Sequence, residues 1–432
     1  MKKWLLVLFI IALLVRIWPL EVFLGWDESI YVQHAETILG EKNNYEEIYR
    51  PPVLPVFIAG GMLLWRNVLV AQVIVSLLSA LMVFPLYGIA KKLSHEMAGI
   101  YAGLIFALHP LYQLFGHEVL TDGVVSMFIV LSIYLLLQDK WWLLLLSGLA
   151  CGVASLTKYT MLAAIPIFLI FLFWQKPKKA HWFILGSALP LIPFLIWVGS
   201  HGGVRAVLGS AQSIATYDAM TSPFVLLPLF TIPLVLGLVL YAWKGYKKED
   251  LPYLALSACM FLAITTYLFT IHVEARFILP VLAPFLPLAG IGYTRIKWDQ
   301  FWAWAIIIII VFGYPAYDRL NEPFINTWKP PVVDMAERIS GLNSSLPLYV
   351  TSDYPVYARY TENQVVVVDG PHFISGFPLI MPREGYLVVY KETTTPPSTA
   401  WADKESRLTR IDENEQIVLY HYKPHRNSTS RF

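Results

Sequence analysis

Asp27 and Glu28 stand side by side in Gly25-Trp26-Asp27-Glu28-Ser29, just where the first apolar run of the chain ends. Two chemistries suit a carboxylate pair there. A carboxylate held just above a hydrocarbon boundary is partly desolvated, which makes it a better general base, able to take a proton from an incoming hydroxyl. Alternatively, acids at the start of a helix cap it and meet the positive end of its dipole. Both roles fit Asp27, because a capping carboxylate is also a fixed one. Glu28 is the next residue on a helix, so it points about 100° away and is expected to assist or to bind.

The surroundings of the pair are those of a membrane protein. The chain has 432 residues, 57% hydrophobic and 14% charged, with a mean hydropathy of +0.57. A soluble domain has about a quarter of its residues charged. The net charge of +2 and the dispersed basic residues speak against a nucleic-acid partner. Cys151 and Cys259 each sit in an apolar run and suggest neither a disulfide framework nor a metal site.

About 20 apolar residues span a hydrocarbon core of about 30 Å, and that ruler predicts about eleven transmembrane helices. The first runs from Trp4 to about Leu24, interrupted by Arg16 and Pro19, and is read as an uncleaved helix because no small-residue cleavage site follows. The others are expected near 67–90, 97–115, 123–139, 141–156, 159–174, 181–198, 224–243, 251–269, 277–292 and 301–312. Lys2, Lys3, Lys91, Lys92, Lys140, Lys176, Lys178, Lys179, Lys244, Lys247, Lys248, Arg295 and Lys297 then fall on one side, which the positive-inside rule makes the cytoplasm. The N-terminus is expected to be cytoplasmic, and the acids and histidines of interest extracytoplasmic.

Two regions depart from this pattern. Residues 25–66 form an external loop in which Asp27 is expected to cap a helix from Ser29 to Leu39, followed by a short apolar piece from Val53 to Trp65. Both are read as helices lying at the membrane surface. From about Asp318 the composition changes to short strand-like segments, Leu346–Val350, Gln364–Val368, Tyr386–Tyr390, Leu408–Ile411 and Gln416–Tyr422, with a helix at Asp334–Ile339. The expected organisation is a transmembrane catalytic domain at 1–317, including the external loop, and a small extracytoplasmic α/β domain at 318–432. The patterns Asn343-Ser344-Ser345 and Asn427-Ser428-Thr429 are compatible with an external location but common by chance.

The sequence resembles the GT-C class of membrane glycosyltransferases, and within it the branch of the protein O-mannosyltransferases and the aminoarabinose transferase that modifies lipid A. The resemblance rests on Trp26-Asp27-Glu28 after the first span, Tyr49-Arg50-Pro51-Pro52 before the second, Glu118 with Thr121-Asp122 between the third and fourth, and Arg276-Phe277-Ile278-Leu279-Pro280 entering the tenth. It covers about three quarters of the chain. What it implies is a GT-C-like membrane fold and a sugar donor carried on a polyprenyl phosphate, dolichyl or undecaprenyl. The acceptor, a hydroxyl on a protein, lipid or glycan, would be approached from the external side. Asp27 matches the catalytic base of such enzymes, and the reaction would be an inverting displacement at the anomeric carbon.

A departing phosphate needs charge stabilisation more than protonation. Arg50 and Arg276 are the first candidates, since a planar guanidinium suits phosphate oxygens; the alternative for Arg50 is an arginine snorkelling to the headgroups. Lys158 and Arg205 are lesser phosphate candidates and fit ordinary loop charge as well. His117, Glu118, Asp122 and Tyr49 are candidates for sugar or acceptor binding. If the chain continues helically from Glu118, that residue and Asp122 share a face; the alternative is loop polarity with Asp122 as an N-cap. His272 and Glu274, with Glu118 or His117, are the residues a divalent metal would draw on. Two ligands at that spacing do not define a centre, and no cofactor is expected to be required.

Two rival readings exist. An oligosaccharyltransferase carries a Trp-Trp-Asp signature in a large external domain, whereas Trp141-Trp142 lies at a predicted cytoplasmic boundary with no acid following. A transporter or flippase for lipid-linked sugars would place ionisable residues in mid-membrane on paired broken helices, and the charges here gather at span ends instead. Neither the sugar, the acceptor nor the oligomeric state is written in the sequence.

Overall fold

The structure is a computed structural model, and it describes residues 2–41, 50–200, 227–268, 275–294, 325–326, 329–368, 381, 383–392 and 397–424. The chain divides into two compact units, residues 1–20 with 49–326 and residues 21–48 with 327–432. The second boundary falls between Asn326 and Thr327. The segment bearing Asp27 and Glu28, however, groups with the C-terminal unit and not with the helical one.

Apolar runs fold as helices where no water is available to satisfy the backbone. In the first unit they give α1 (Lys2–Ile17), and in the second the segment after it gives α2 (Trp26–Ile38). The first unit continues with α3 (Val53–Met62), α4 (Val68–Ala80), α5 (Val83–Leu93), α6 (Glu96–Leu108), α7 (Pro110–Leu114), α8 (Thr121–Leu136), α9 (Trp141–Thr157), α10 (Ala164–Gln175) and α11 (Ala180–Ser200). It is completed by α12 (Leu227–Leu240), α13 (Leu251–Leu268), α14 (Leu279–Leu282) and α15 (Leu286–Tyr293). Three segments among the described residues are long and apolar enough to cross a membrane: Val68–Leu93, Pro177–Ser200 and Arg276–Tyr293.

Several expected spans are shorter or broken for local reasons. The first stops at Ile17, since the residue before Pro19 disfavours helical backbone. The run 97–115 splits at Pro110, which has no N–H to continue the ladder. The run 301–312 lies outside the described residues.

Helices α9 and α11 pack closely through glycines. A Cβ built on Gly148 would lie 2.1 Å from the Phe183 carbonyl oxygen, and one on Gly186 would lie 2.0 Å from that of Leu145. Small residues let backbones approach this closely, and the resulting dispersion contacts replace the hydrophobic drive that lipid does not supply. Gly148→Val is therefore expected to lower the stability of the detergent-solubilised protein by at least the ~1–3 kcal/mol typical of overpacking, read as a fall in its thermal unfolding midpoint.

In the second unit, β1 (Leu348–Val350), β2 (Val365–Val367), β3 (Gly385–Tyr390), β4 (Leu408–Glu413) and β5 (Ile417–Tyr422) form one sheet in the order β2-β1-β3-β5-β4. The β1 strand pairs in parallel with β2 and β3, and β5 pairs antiparallel with both β3 and β4. All five strands lie where the sequence pattern places them. The helices α16 (Pro331–Ser340) and α17 (Tyr354–Tyr360) belong to this unit. Val333, Met335, Ala336 and Ile339 make one buried face of α16, and the last three share a core with Leu348, Val350, Val388, Leu419 and Tyr357 of α17.

Candidate functional site

The acid pair occupies the first turn of α2, which starts earlier than expected. Gly25, in an extended conformation, is the N-cap. Glu28 Oε2 accepts a hydrogen bond from Gly25 N at 2.8 Å, closing the reciprocal half of a capping box. The cap is thus Glu28 and not Asp27, because a side chain three residues into the helix can reach back to the N-cap amide and one two residues in cannot. Glu28 is buried, while Asp27 is half-buried in the same turn, where the helix dipole favours a negative charge.

The helix carrying Asp27 rests on α17. The Trp26 ring meets the Tyr354 ring edge-on with centroids 5.3 Å apart. Gln33 Nε2 donates to the Pro355 carbonyl at 2.6 Å. Arg359 Nη1 reaches both carboxylate oxygens of Glu36, at 3.1 and 2.9 Å. Just before the helix, Leu24 N donates to the Tyr360 hydroxyl at 3.2 Å.

In the first unit, three helix ends meet around Phe277. Lys158, the residue closing α9, places Nζ 2.5 Å from Asp122 Oδ1 in the first turn of α8. The same ammonium lies 3.9 Å from the centre of the Phe277 ring, and the Arg276 guanidinium lies 5.3 Å from it. Asp122 is 2% exposed and Lys158 17%, so the ion pair is sheltered from screening. Together the three side chains carry two positive charges and one negative, a balance that suits an anionic headgroup.

This arrangement corrects two expectations. Leu120, not Asp122, is the N-cap of α8, and the Asp122 carboxylate is engaged by Lys158 instead of by backbone amides. Residues 115–120 form a turn, so Glu118 does not lie one helical turn ahead of Asp122. In that turn His117 is buried and Glu118 half-buried. A Cβ on the adjoining Gly116 would fall 2.2 Å from the Tyr112 carbonyl oxygen, so only glycine fits there. Arg50 is half-buried immediately before α3. Tyr49, Arg205, His272 and Glu274 lie outside the described residues. Among the described residues, no three His, Cys, Asp or Glu side chains are grouped to hold a metal.

Residues 49–197 match the family described as dolichyl-phosphate-mannose-protein mannosyltransferase. No curated protein sequence matches the chain. Among solved structures, the chain is similar to ArnT from Cupriavidus metallidurans bound to undecaprenyl phosphate, with 13% identity and a TM-score of 0.69 over 98% of this chain and 99% of that one. The fold is that of the GT-C glycosyltransferases. Two further GT-C proteins fit it less completely. The oligosaccharyltransferase of Archaeoglobus fulgidus, solved with Zn and sulfate, gives 12% identity and a TM-score of 0.61 over 89% of this chain and 67% of that one. The mycobacterial arabinofuranosyltransferase AftD gives 14% and 0.61, and this chain covers 41% of it.

Within this GT-C fold the structure adds a residue that the sequence showed only as an interruption. Arg16 is fully buried. Its guanidinium donates to the carbonyls of Ala12 at 2.7 Å and Phe106 at 3.1 Å, and lies 4.2 Å from the centre of the Phe106 ring. The Phe106 carbonyl lies in the last turn of α6, where it also accepts from His109 N at 3.4 Å, and a cation there meets the negative end of the helix dipole. Ser76 of α4 in turn donates to the Arg16 carbonyl at 3.1 Å. Arg16 thus joins α1, α4 and α6 beneath the Gly116 turn. A basic residue followed by proline near a span end is the signal that could have flagged it.

Proposed function

We propose that the protein is an integral-membrane glycosyltransferase that moves a sugar from a polyprenyl-phosphate donor to an acceptor hydroxyl. The donor is dolichyl- or undecaprenyl-linked, and the acceptor is a protein, lipid or glycan. The observation that carries this reading is the near full-length likeness to a fold solved with undecaprenyl phosphate, together with the family match over residues 49–197. In this reading the active site faces the extracytoplasmic side, with the N-terminus in the cytoplasm and the C-terminal unit outside.

Asp27 acts as general base. As the acceptor oxygen attacks the anomeric carbon, its proton passes to the Asp27 carboxylate, and the bond to the lipid phosphate breaks with its electron pair leaving on the phosphate oxygen. Attack opposite to departure inverts the anomeric configuration. Arg276 and Arg50 hold the phosphate, with Arg205 as a further contributor. Lys158, a lesser phosphate candidate from the sequence, acts through Asp122 and Phe277 by fixing the turn that carries Arg276. Tyr49, His117 and Glu118 serve sugar or acceptor, and no metal is required.

The donor class is tested by titrating the purified protein with undecaprenyl phosphate and with undecaprenol, which has the same chain without the charge. The phosphate should bind more tightly. Arg276→Gln should weaken that binding about tenfold to a hundredfold, the loss of one or two charge-assisted hydrogen bonds, and leave undecaprenol unaffected. Equal binding of alcohol and phosphate by the native protein would rule out a lipid-phosphate donor.

A further inference from the structure

We propose that Arg359 and Glu36 are positioning residues for the reaction, acting through α2 to set where Asp27 stands. The inference rests on the reading of Asp27 as the base. It starts from the finding that the acid-bearing helix belongs to the same compact unit as the C-terminal sheet. In that unit, α17 is the element that holds α2.

The contacts between α2 and α17 run the length of both. Trp26 in the first turn of α2 packs on Tyr354, Gln33 bonds to Pro355, and Glu36 in the last turn is held by Arg359. Positions 26 and 33 differ by seven residues and so lie on one stripe of a helix, with 36 beside it. Asp27 is turned about 100° from Trp26, so the docking stripe holds the helix without using the acid. The Gln33 bond is buried and fixes the middle of α2, while the ion pair fixes its far end. Hydrogen bonds at two heights on a helix prevent it from sliding along or rolling about its axis, the two motions that would displace a carboxylate in its first turn.

Two features mark the ion pair as more than surface charge. Glu36 sits in the last turn of α2, where the helix dipole disfavours an acid and no basic residue offsets it. The position is costly for Glu36 unless Arg359 is there. The exposures of 14% for Arg359 and 27% for Glu36 place the pair in a partly dry contact, where it is screened less than an exposed one.

The platform under α2 is itself fixed. Asp353, just before α17, adopts a left-handed conformation with φ 52°, and its carboxylate accepts from the Tyr390 hydroxyl of β3 at 2.6 Å. Burial, with Tyr357 and Asp353 nearby, pushes the Tyr390 hydroxyl far above its ordinary range, so it remains a donor at any working pH. Tyr357 of α17 is buried in the core beneath the sheet. Movement of the C-terminal unit's short helix would thus be passed directly to the acid.

The test compares native protein, Asp27→Asn, Arg359→Gln, Glu36→Gln, Arg359→Lys and the charge-swapped pair Glu36→Arg with Arg359→Glu. Sugar transfer from a polyprenyl-phosphate sugar is measured alongside undecaprenyl-phosphate binding. Arg359→Gln and Glu36→Gln should each lower kcat about tenfold or more, as expected for a displaced catalytic group. Donor KM and undecaprenyl-phosphate affinity should stay within about twofold. Arg359→Lys and the swapped pair should recover most of the loss. If Asp27→Asn is inactive while the Arg359 and Glu36 variants keep native kcat per folded molecule, the positioning role is overturned and Asp27 stands. If Asp27→Asn is fully active, the base assignment itself is lost. A loss of kcat in Arg359→Gln that neither Arg359→Lys nor the swapped pair restores would also overturn the ion-pair account.

Discussion

Asp27→Asn is expected to lower kcat by about 10²–10⁴-fold, the range for removing a general base, with donor binding within about twofold of native. The geometry makes this substitution unusually clean. Asparagine has nearly the same shape, and the helix does not depend on Asp27 for its cap because Glu28 supplies it. The basic oxygen is lost while the Glu28 cap stays in place. Glu28→Gln provides the contrast, since its amide oxygen can still accept from Gly25 N–H. That change should cost about 0.5–2 kcal/mol of stability, the scale of a lost or weakened helix cap, and a much smaller share of kcat. A reversed pattern, with Glu28→Gln inactive and Asp27→Asn active, would exchange the two roles.

The second large effect is one of stability. Lys158→Met should destabilise the helical unit by about 3–5 kcal/mol, because it leaves the carboxylate of Asp122 buried without its lysine. Asp122 is 2% exposed and has little access to water. The double replacement Asp122→Leu with Lys158→Met should cost less than Lys158→Met alone, since a buried pair replaced by apolar groups of similar size is often near neutral. Thermal unfolding of the three proteins in one detergent checks both statements. Equal stability of Lys158→Met and native would contradict the buried ion pair's contribution.

The parts of the molecule that depend on local pattern were legible before the structure. β-branched and aromatic residues over Tyr386–Tyr390 and Gln416–Tyr422 predict strands, and both segments are strands of the sheet. The start of α2 is not fixed by sequence because Asp27 and Glu28 are equivalent as residue types, and only the distance back to Gly25 N separates a cap from a first-turn acid. The α17 helix gives no clear sequence signal because it is short and carries Pro355 near its start, which reads as a turn. Arg359 lies far from Glu36 in sequence, and no local rule pairs them. The same holds for Lys158 and Asp122, whose pairing follows from the packing of α8 against α9. Counting apolar runs also overstated the regularity of the membrane part, because the ruler does not register where a proline such as Pro110 divides a run.

The chemistry therefore divides between two parts of the chain. Residues proposed to hold the lipid phosphate lie in the helical unit, and the proposed base lies in the unit built around the C-terminal sheet. The most direct measurement gives purified protein a polyprenyl-phosphate-linked sugar labelled in both the sugar and the lipid, in the presence of a mixed pool of protein, lipid and glycan acceptors. The account predicts that labelled sugar appears on an acceptor hydroxyl with inverted anomeric configuration, with one free polyprenyl phosphate released for each transfer. Labelled sugar crossing proteoliposome membranes still joined to its lipid, with no product formed, would contradict it and identify the protein as a carrier of lipid-linked sugars.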